Sequence, residues 1–168
     1  MEEKYYTTIQ FQHLEAGFHK HCGPTAITNL IATLSNEEIS PEALFLEVAK
    51  IGQHLKVYWN IDDKKIVGGT SDGLTGWYLR RCLKRFGLTS HHVRGRGLAT
   101  PDKLKSALAL GHMVFLQLHL HPKYHQHHVL IYGYEWEGFR TADGWSASPI
   151  YLVDKDLTLA TFYEISES

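Results

Sequence analysis

Apolar positions fall at helical spacing through most of the first part of the chain and then alternate strictly. Downstream of Cys22, Ile27, Leu30, Ile31 and Leu34 share one face, and Pro24 stands in the first turn, where proline is tolerated. "SPEALFLEVAKIG" predicts a second helix with Ser40 as N-cap, Pro41 at the first helical position, a stripe of Leu44, Phe45, Val48 and Ile51, and Gly52 as its stop. Residues 53 to 72 are polar and irregular and end in "GGTSDG", which reads as a surface loop. "LTGWYLRRCLKRFG" gives a third helix with Leu79, Cys82, Leu83 and Phe86 inward and Gly87 closing it, and "TPDKLKSALALG" gives a fourth between Thr100 and Gly111.

From His112 the period changes to two. In "HMVFLQLHLH", Leu116, Leu118 and Leu120 fall on one side, and Gln117, His119 and His121 on the other. "HHVLIYGYEW" and "FRTADGW" read as a hairpin turning around Glu137-Gly138, and "PIYLVD" and "ATFYEI" as two further strands. "HHVRGRG", residues 91 to 97, reads as a solvated edge strand and turn. Helices followed by an antiparallel sheet make the fold class α+β, one domain over residues 1–168.

Composition narrows the function classes. A net charge of −1 gives no footprint for nucleic acid or an anionic membrane, and no apolar run approaches the ~18 residues that span a bilayer. "MEEKYYTTIQ" has no apolar core of the kind a secretory signal needs. Two cysteines make neither a disulfide scaffold nor a zinc cluster, so the expected compartment is the cytoplasm with both thiols reduced. Cys82 belongs to a core face. Cys22 opens a helix, where the positive end of the dipole favours a thiolate.

A cysteine nucleophile needs a base and a group that orients the base. If the hairpin is centred near Glu135, residues whose numbers sum to about 270 face each other, which sets His127 beside Asp143. His128, its neighbour, would leave the opposite face of the strand and serve a structural role.

"HCGPTA", "HHVLIYGYE" and "TADGWS" together resemble the papain-like cysteine peptidase superfamily, most closely the bacteriocin-leader-processing peptidases and their stand-alone bacterial relatives. The resemblance runs from about residue 10 to residue 154 and implies a helical half, opened by the cysteine helix, packed on a C-terminal antiparallel sheet. In that superfamily the histidine begins a strand reading His-x-apolar-apolar-apolar-x-Gly, with Asp or Asn sixteen positions later. Gly133 and Asp143 stand six and sixteen positions after His127, so the resemblance implies a Cys22–His127–Asp143 triad. The family's oxyanion glutamine, six residues before the cysteine, is replaced here by Ala16; Gln12 is the nearest substitute, with His19 or His21 as other donors. Losing such a donor costs ~100- to 1,000-fold in rate.

The expected activity is a cysteine-dependent hydrolase, with a peptide as leading substrate and other acyl compounds open, and no cofactor. Acyl transfer to an amine or thiol is a variant of the same chemistry. A peptide-binding module with an impaired site is a separate reading, which the loss at position 16 favours. A third is metal binding by the tract "HLHPKYHQHH", which holds imidazoles but no evident convergent geometry. The sequence leaves the oligomeric state open.

Overall fold

The computed structural model describes residues 20–61, 69–146 and 148–167. Three helices, α1 (Cys22–Leu34), α2 (Pro41–His54) and α3 (Thr75–Arg85), lie on one face of a six-stranded sheet, and α4 (Pro101–Ala109) covers the other. The strands are β3 (His91–Leu98), β4 (Met113–His121), β5 (His125–Glu135), β6 (Gly138–Ala142), β7 (Ile150–Leu152) and β8 (Thr161–Glu167), in the order β3-β8-β4-β5-β6-β7 with every pair antiparallel. A short ribbon, β1 (Tyr58–Trp59) with β2 (Gly69–Thr70), lies in the region read from sequence as a loop. The edge position expected for residues 91 to 97 is the one β3 occupies.

Caps fall where side-chain chemistry placed them. Ser40 accepts from the Ala43 amide, and Thr100 from the Lys103 amide. Gly87 and Gly111 follow their helices with φ of +72° and +80°. Gly52 differs from expectation: it lies inside α2, which ends two residues later. An added Cβ there would strike the Tyr78 phenol, so the glycine admits that ring rather than ending the helix. Tyr78 uses the access to donate its hydroxyl to the Val48 carbonyl at 2.6 Å, fixing α3 to α2.

Sheet alternation divides the interior into two layers. Met113, Phe115, Leu130, Ala142 and Ile165 point to the α1–α3 side, where they meet Ile27, Leu30, Phe45 and Leu79. Val114, Leu116, Leu118, Val129, Ile131 and Phe162 point to the α4 side with Leu104 and Ala107. Both faces of β4 are therefore buried up to Leu118, whereas Leu120, assigned from sequence to its apolar side, is exposed beyond an irregularity between Leu118 and His121.

The hairpin differs in register from the one expected. Glu135 faces Gly138 and Leu130 faces Ala142, with a shift between Ile131 and Gly133, so the turn lies at Trp136-Glu137 rather than near Glu135. Strand β6 ends at Ala142, and Asp143 starts the loop beyond it. Among the described residues, no helix is long and apolar enough to cross a membrane.

The core of α1 should dominate stability. Leu30→Ala removes a fully buried side chain from the interface between helices and sheet. It is expected to cost about 2–5 kcal/mol, read as a lowered urea midpoint with little change in slope.

Candidate active site

Cys22 is the first residue of α1, and the preceding His21 makes no side-chain capping bond. The helix start is held from two sides by residues that lack or tuck away their side chains. A Cβ on Gly23 would collide with the Thr70 side chain, which lets β2 pass directly over the first turn. A Cβ on Gly144, whose φ is +75°, would press on the Thr25 methyl at 3.1 Å. The loops after β2 and after β6 thus both meet the N-terminus of α1.

One imidazole at the Cys22 sulfur belongs to His128, whose Nδ1 lies 3.5 Å from Sγ. This is the neighbour of the histidine selected from sequence, and layer parity is the reason. His128 shares its strand face with Leu130 and packs against Phe115, both in the α1-side layer. His127 shares its face with Val129 and Ile131 of the α4-side layer, and stacks on Tyr124 with ring centroids 5.1 Å apart. His128, expected on the far side of the sheet, therefore reaches the cysteine sulfur as well as His127. Both rings are buried.

His127 remains part of the neighbourhood of the thiol. Burial pushes the Cys22 thiol up, but hydrogen bonding to His127 and His128 and their charge outweigh it and hold the thiol well below its ordinary value. His127 donates Nε2–H to the Asp143 backbone carbonyl at 2.6 Å, which fixes its tautomer. The Asp143 carboxylate does not meet that ring. It accepts from the Tyr124 hydroxyl at 2.7 Å, the Trp145 and Ser146 amides at 3.0 and 2.8 Å, and the Ser146 hydroxyl at 3.0 Å. Trp145 packs against His127 and Tyr124 at 4.9 Å from each centroid.

The carboxylate beside His128 comes from Asp72, in the short 3-10 turn Asp72–Leu74 that leads into α3: Oδ1 lies 3.1 Å from His128 Nε2. Burial lowers the basicity of His128, but Asp72 and the Cys22 sulfur reverse that and raise it to about 9. Burial pushes Asp72 up in turn, while His128, Gln126 and His119 bring it below the usual carboxylate range. The Cys22 sulfur, the His128 ring and the Asp72 carboxylate follow one another from α1 through β5 to the turn before α3.

Gln117 completes the wall. The Thr75 hydroxyl donates to the Ser71 carbonyl at 2.9 Å and so accepts from Gln117 Nε2 at 3.1 Å, while the Thr161 hydroxyl donates to Gln117 Oε1 at 3.1 Å. These partners orient the amide. Its Nε2 lies 3.3 Å from His128 Nε2, on the side of the ring that faces Asp72. Asp72 and Gln117 were missed as site residues because the first sits in a segment read as surface loop. Gln117 carried a signal: a polar residue on the face of β4 that also bears Phe115.

His121 and His119 of the tract have partners of their own. His121 Nε2 meets Asp156 Oδ1 at 2.8 Å, and His119 Nε2 meets the Thr161 hydroxyl at 2.8 Å. Among the described residues, no three His, Cys, Asp or Glu side chains form a group able to hold a metal ion. Ala16, Gln12 and His19 lie outside the described residues. His21 Nδ1 is 2.8 Å from the Thr25 hydroxyl.

The sequence matches no family model and no curated protein. Solved structures do match. A C39-like peptidase from Bacillus anthracis superposes with a TM-score of 0.64 over 97% of this chain and 96% of its own, at 11% identity. The chain has the papain-like fold of the C39-like peptidases. The peptidase domain of Streptococcus ComA, a bifunctional ABC transporter involved in a quorum-sensing pathway, gives 0.52 at 14% identity, covering 86% of this chain and 90% of that one. A double-glycine-motif protease from an AMS/PCAT transporter, solved with its leader peptide, gives 0.51 at 11% identity, covering 94% and 91%.

The two thiols should differ sharply in reactivity. Burial, with a contribution from Glu47, pushes the Cys82 thiol far up, and its side chain is sealed in the α1-side core. Brief iodoacetamide treatment of the folded protein is expected to label Cys22 and leave Cys82 unmodified, as read by peptide mass spectrometry. Because the Cys22 thiolate forms above a lowered pKa, labelling should persist at neutral pH and fall only as pH drops through the lowered value. An ordinary thiol with pKa about 8.5 would already have lost most of its reactivity there.

Proposed function

We propose that the chain is a cysteine peptidase acting through a thioester, with Cys22 as nucleophile. The observation that carries this reading is the Cys22 thiol at a helix N-terminus with an imidazole nitrogen 3.5 Å from its sulfur. His128 is the leading base. Cys22 Sγ attacks the scissile carbonyl carbon, and the electron pair moves to the carbonyl oxygen near the first-turn amides of α1. Collapse of this intermediate expels the amine, which takes its proton from the His128 imidazolium. Neutral His128 then removes a proton from water as the water attacks the thioester, releasing the acid and restoring the thiolate–imidazolium pair.

A peptide substrate is supported by the fold shared with a protease solved on its leader peptide. Acyl transfer follows if an amine or thiol replaces the water. His127 with Asp143 is the second candidate for base and support, favoured by its effect on the Cys22 thiol and its tautomer-fixing bond to the Asp143 carbonyl. The family intervals also favour that pair.

Incubation with a synthetic peptide library, with new termini read by mass spectrometry, tests the reading. Cys22→Ala is expected to abolish cleavage. His128→Ala should lower kcat by about 100- to 10,000-fold, the range for a lost general base, and His127→Ala by less. A Cys22→Ala protein that cleaves as well as the parent would end the reading, and the reverse order of the two histidine variants would transfer the base to His127.

A further inference from the structure

The helical half supplies more to the site than the nucleophile. Resting on the peptidase reading with His128 as base, we infer that Asp72 is the positioning residue that holds His128 in the orientation facing Cys22, a role the sequence intervals assign to Asp143. Three observations carry it. Asp72 Oδ1 is 3.1 Å from the ring nitrogen opposite the one that meets the thiol, an ion-pair distance without an aligned hydrogen bond, so its charge faces the imidazole across from Cys22. The carboxylate is itself held: Gln126 donates Nε2–H to Oδ2 at 2.7 Å, and His119 Nδ1 lies 3.3 Å from the same oxygen. The Asp143 carboxylate is occupied by Tyr124, Ser146 and two backbone amides, and presents only its backbone carbonyl to His127.

His119 stands between the Thr161 hydroxyl and the Asp72 carboxylate. The Thr161 hydroxyl gives its proton to Gln117, so it accepts from His119 Nε2–H. The other ring nitrogen then faces the Asp72 carboxylate. The titratable groups around the thiol and its imidazole are Cys22 on α1, His127 on β5, His119 on β4 and Asp72 on the turn before α3. Asp72 is the one acid whose charge lies directly against His128 among the described residues. Its removal withdraws the counter-charge from the imidazolium, which then gives up its proton at lower pH and no longer stabilises the thiolate.

The test is the pH profile of iodoacetamide alkylation at Cys22, which needs no substrate. In Asp72→Asn the lower limb should move up by about one pH unit or more, the shift expected for loss of a neighbouring charge, giving about tenfold slower alkylation at a fixed pH on that limb. Asp72→Glu keeps the charge and should bring the limb back toward the parent position. The side chain is partly exposed on a turn, so both variants should fold, with circular dichroism as the check. An Asp72→Asn profile that overlays the parent, or one that moves only in Asp143→Asn, overturns the inference and leaves Cys22 as a reactive nucleophile. A parent profile of an ordinary thiol overturns both the inference and the peptidase reading.

Discussion

Everything at this site depends on the seating of one helix end against one strand start. Cys22 reaches an imidazole because the first turn of α1 meets the beginning of β5 at close range. Apolar packing along Ile27, Leu30 and Ile31 fixes the helix on the sheet. The last few ångströms are set by missing side chains. Without a Cβ at Gly23, Thr70 can cross the first turn, and the chain leaving Thr70 delivers Asp72 two residues later. Gly144 does the corresponding thing on the other side, bringing the loop of Asp143 against Thr25. A side chain at either glycine would push a loop, and its acid, away from the thiol.

Burial and charge work against each other within this arrangement. Removing thiolate, imidazolium and carboxylate from water costs several kcal/mol per ion even after relaxation. Mutual contact offsets that cost only if the remaining polar atoms are satisfied. Gln126 donates to the other Asp72 oxygen, the hydroxyls of Thr75 and Thr161 hold Gln117 beside the ring, and Asp72 Oδ1 keeps its ion-pair contact to His128. The result is a thiol held low and an imidazole held high, shifts that both favour thiolate with imidazolium over the neutral pair. Such a pair titrates as a unit.

Much of this was legible in the chain. Helix starts were readable because Ser40-Pro41 and Thr100-Pro101 state cap and first turn directly, and Cys22 announced itself by standing where a helix dipole begins. The α+β class followed from the change of period at His112, and the papain-like architecture from the resemblance carried by "HCGPTA", "HHVLIYGYE" and "TADGWS". Choosing between two adjacent histidines required the hairpin register to one residue, and that depends on features without a sequence signature: a shift between Ile131 and Gly133 and a turn displaced to Trp136-Glu137. Layer parity would have served better, because Leu130 and Phe115 on the helix side carry His128 with them. Asp72 was invisible for a different reason. A polar loop residue gains its meaning from a long-range contact to β5, and nothing within "GGTSDG" encodes where that loop docks.

The placement of Asp72 changes how the site would fail. An orienting acid on the strand after the histidine is carried by the same sheet, so it persists as long as the sheet does. Asp72 instead arrives on a turn between a two-residue strand and α3, tied to the sheet by Gln126 and His119 at its carboxylate and by Gln117 at its backbone carbonyl at 3.4 Å. Segments with few buried apolar contacts open at lower free energy than the core. Local release of residues 69 to 74 would free one side of the His128 ring while leaving β4 and β5 paired. The thiolate would then lose its counter-charge without any loss of secondary structure. The reactivity of Cys22 is thereby tied to the docking of the turn.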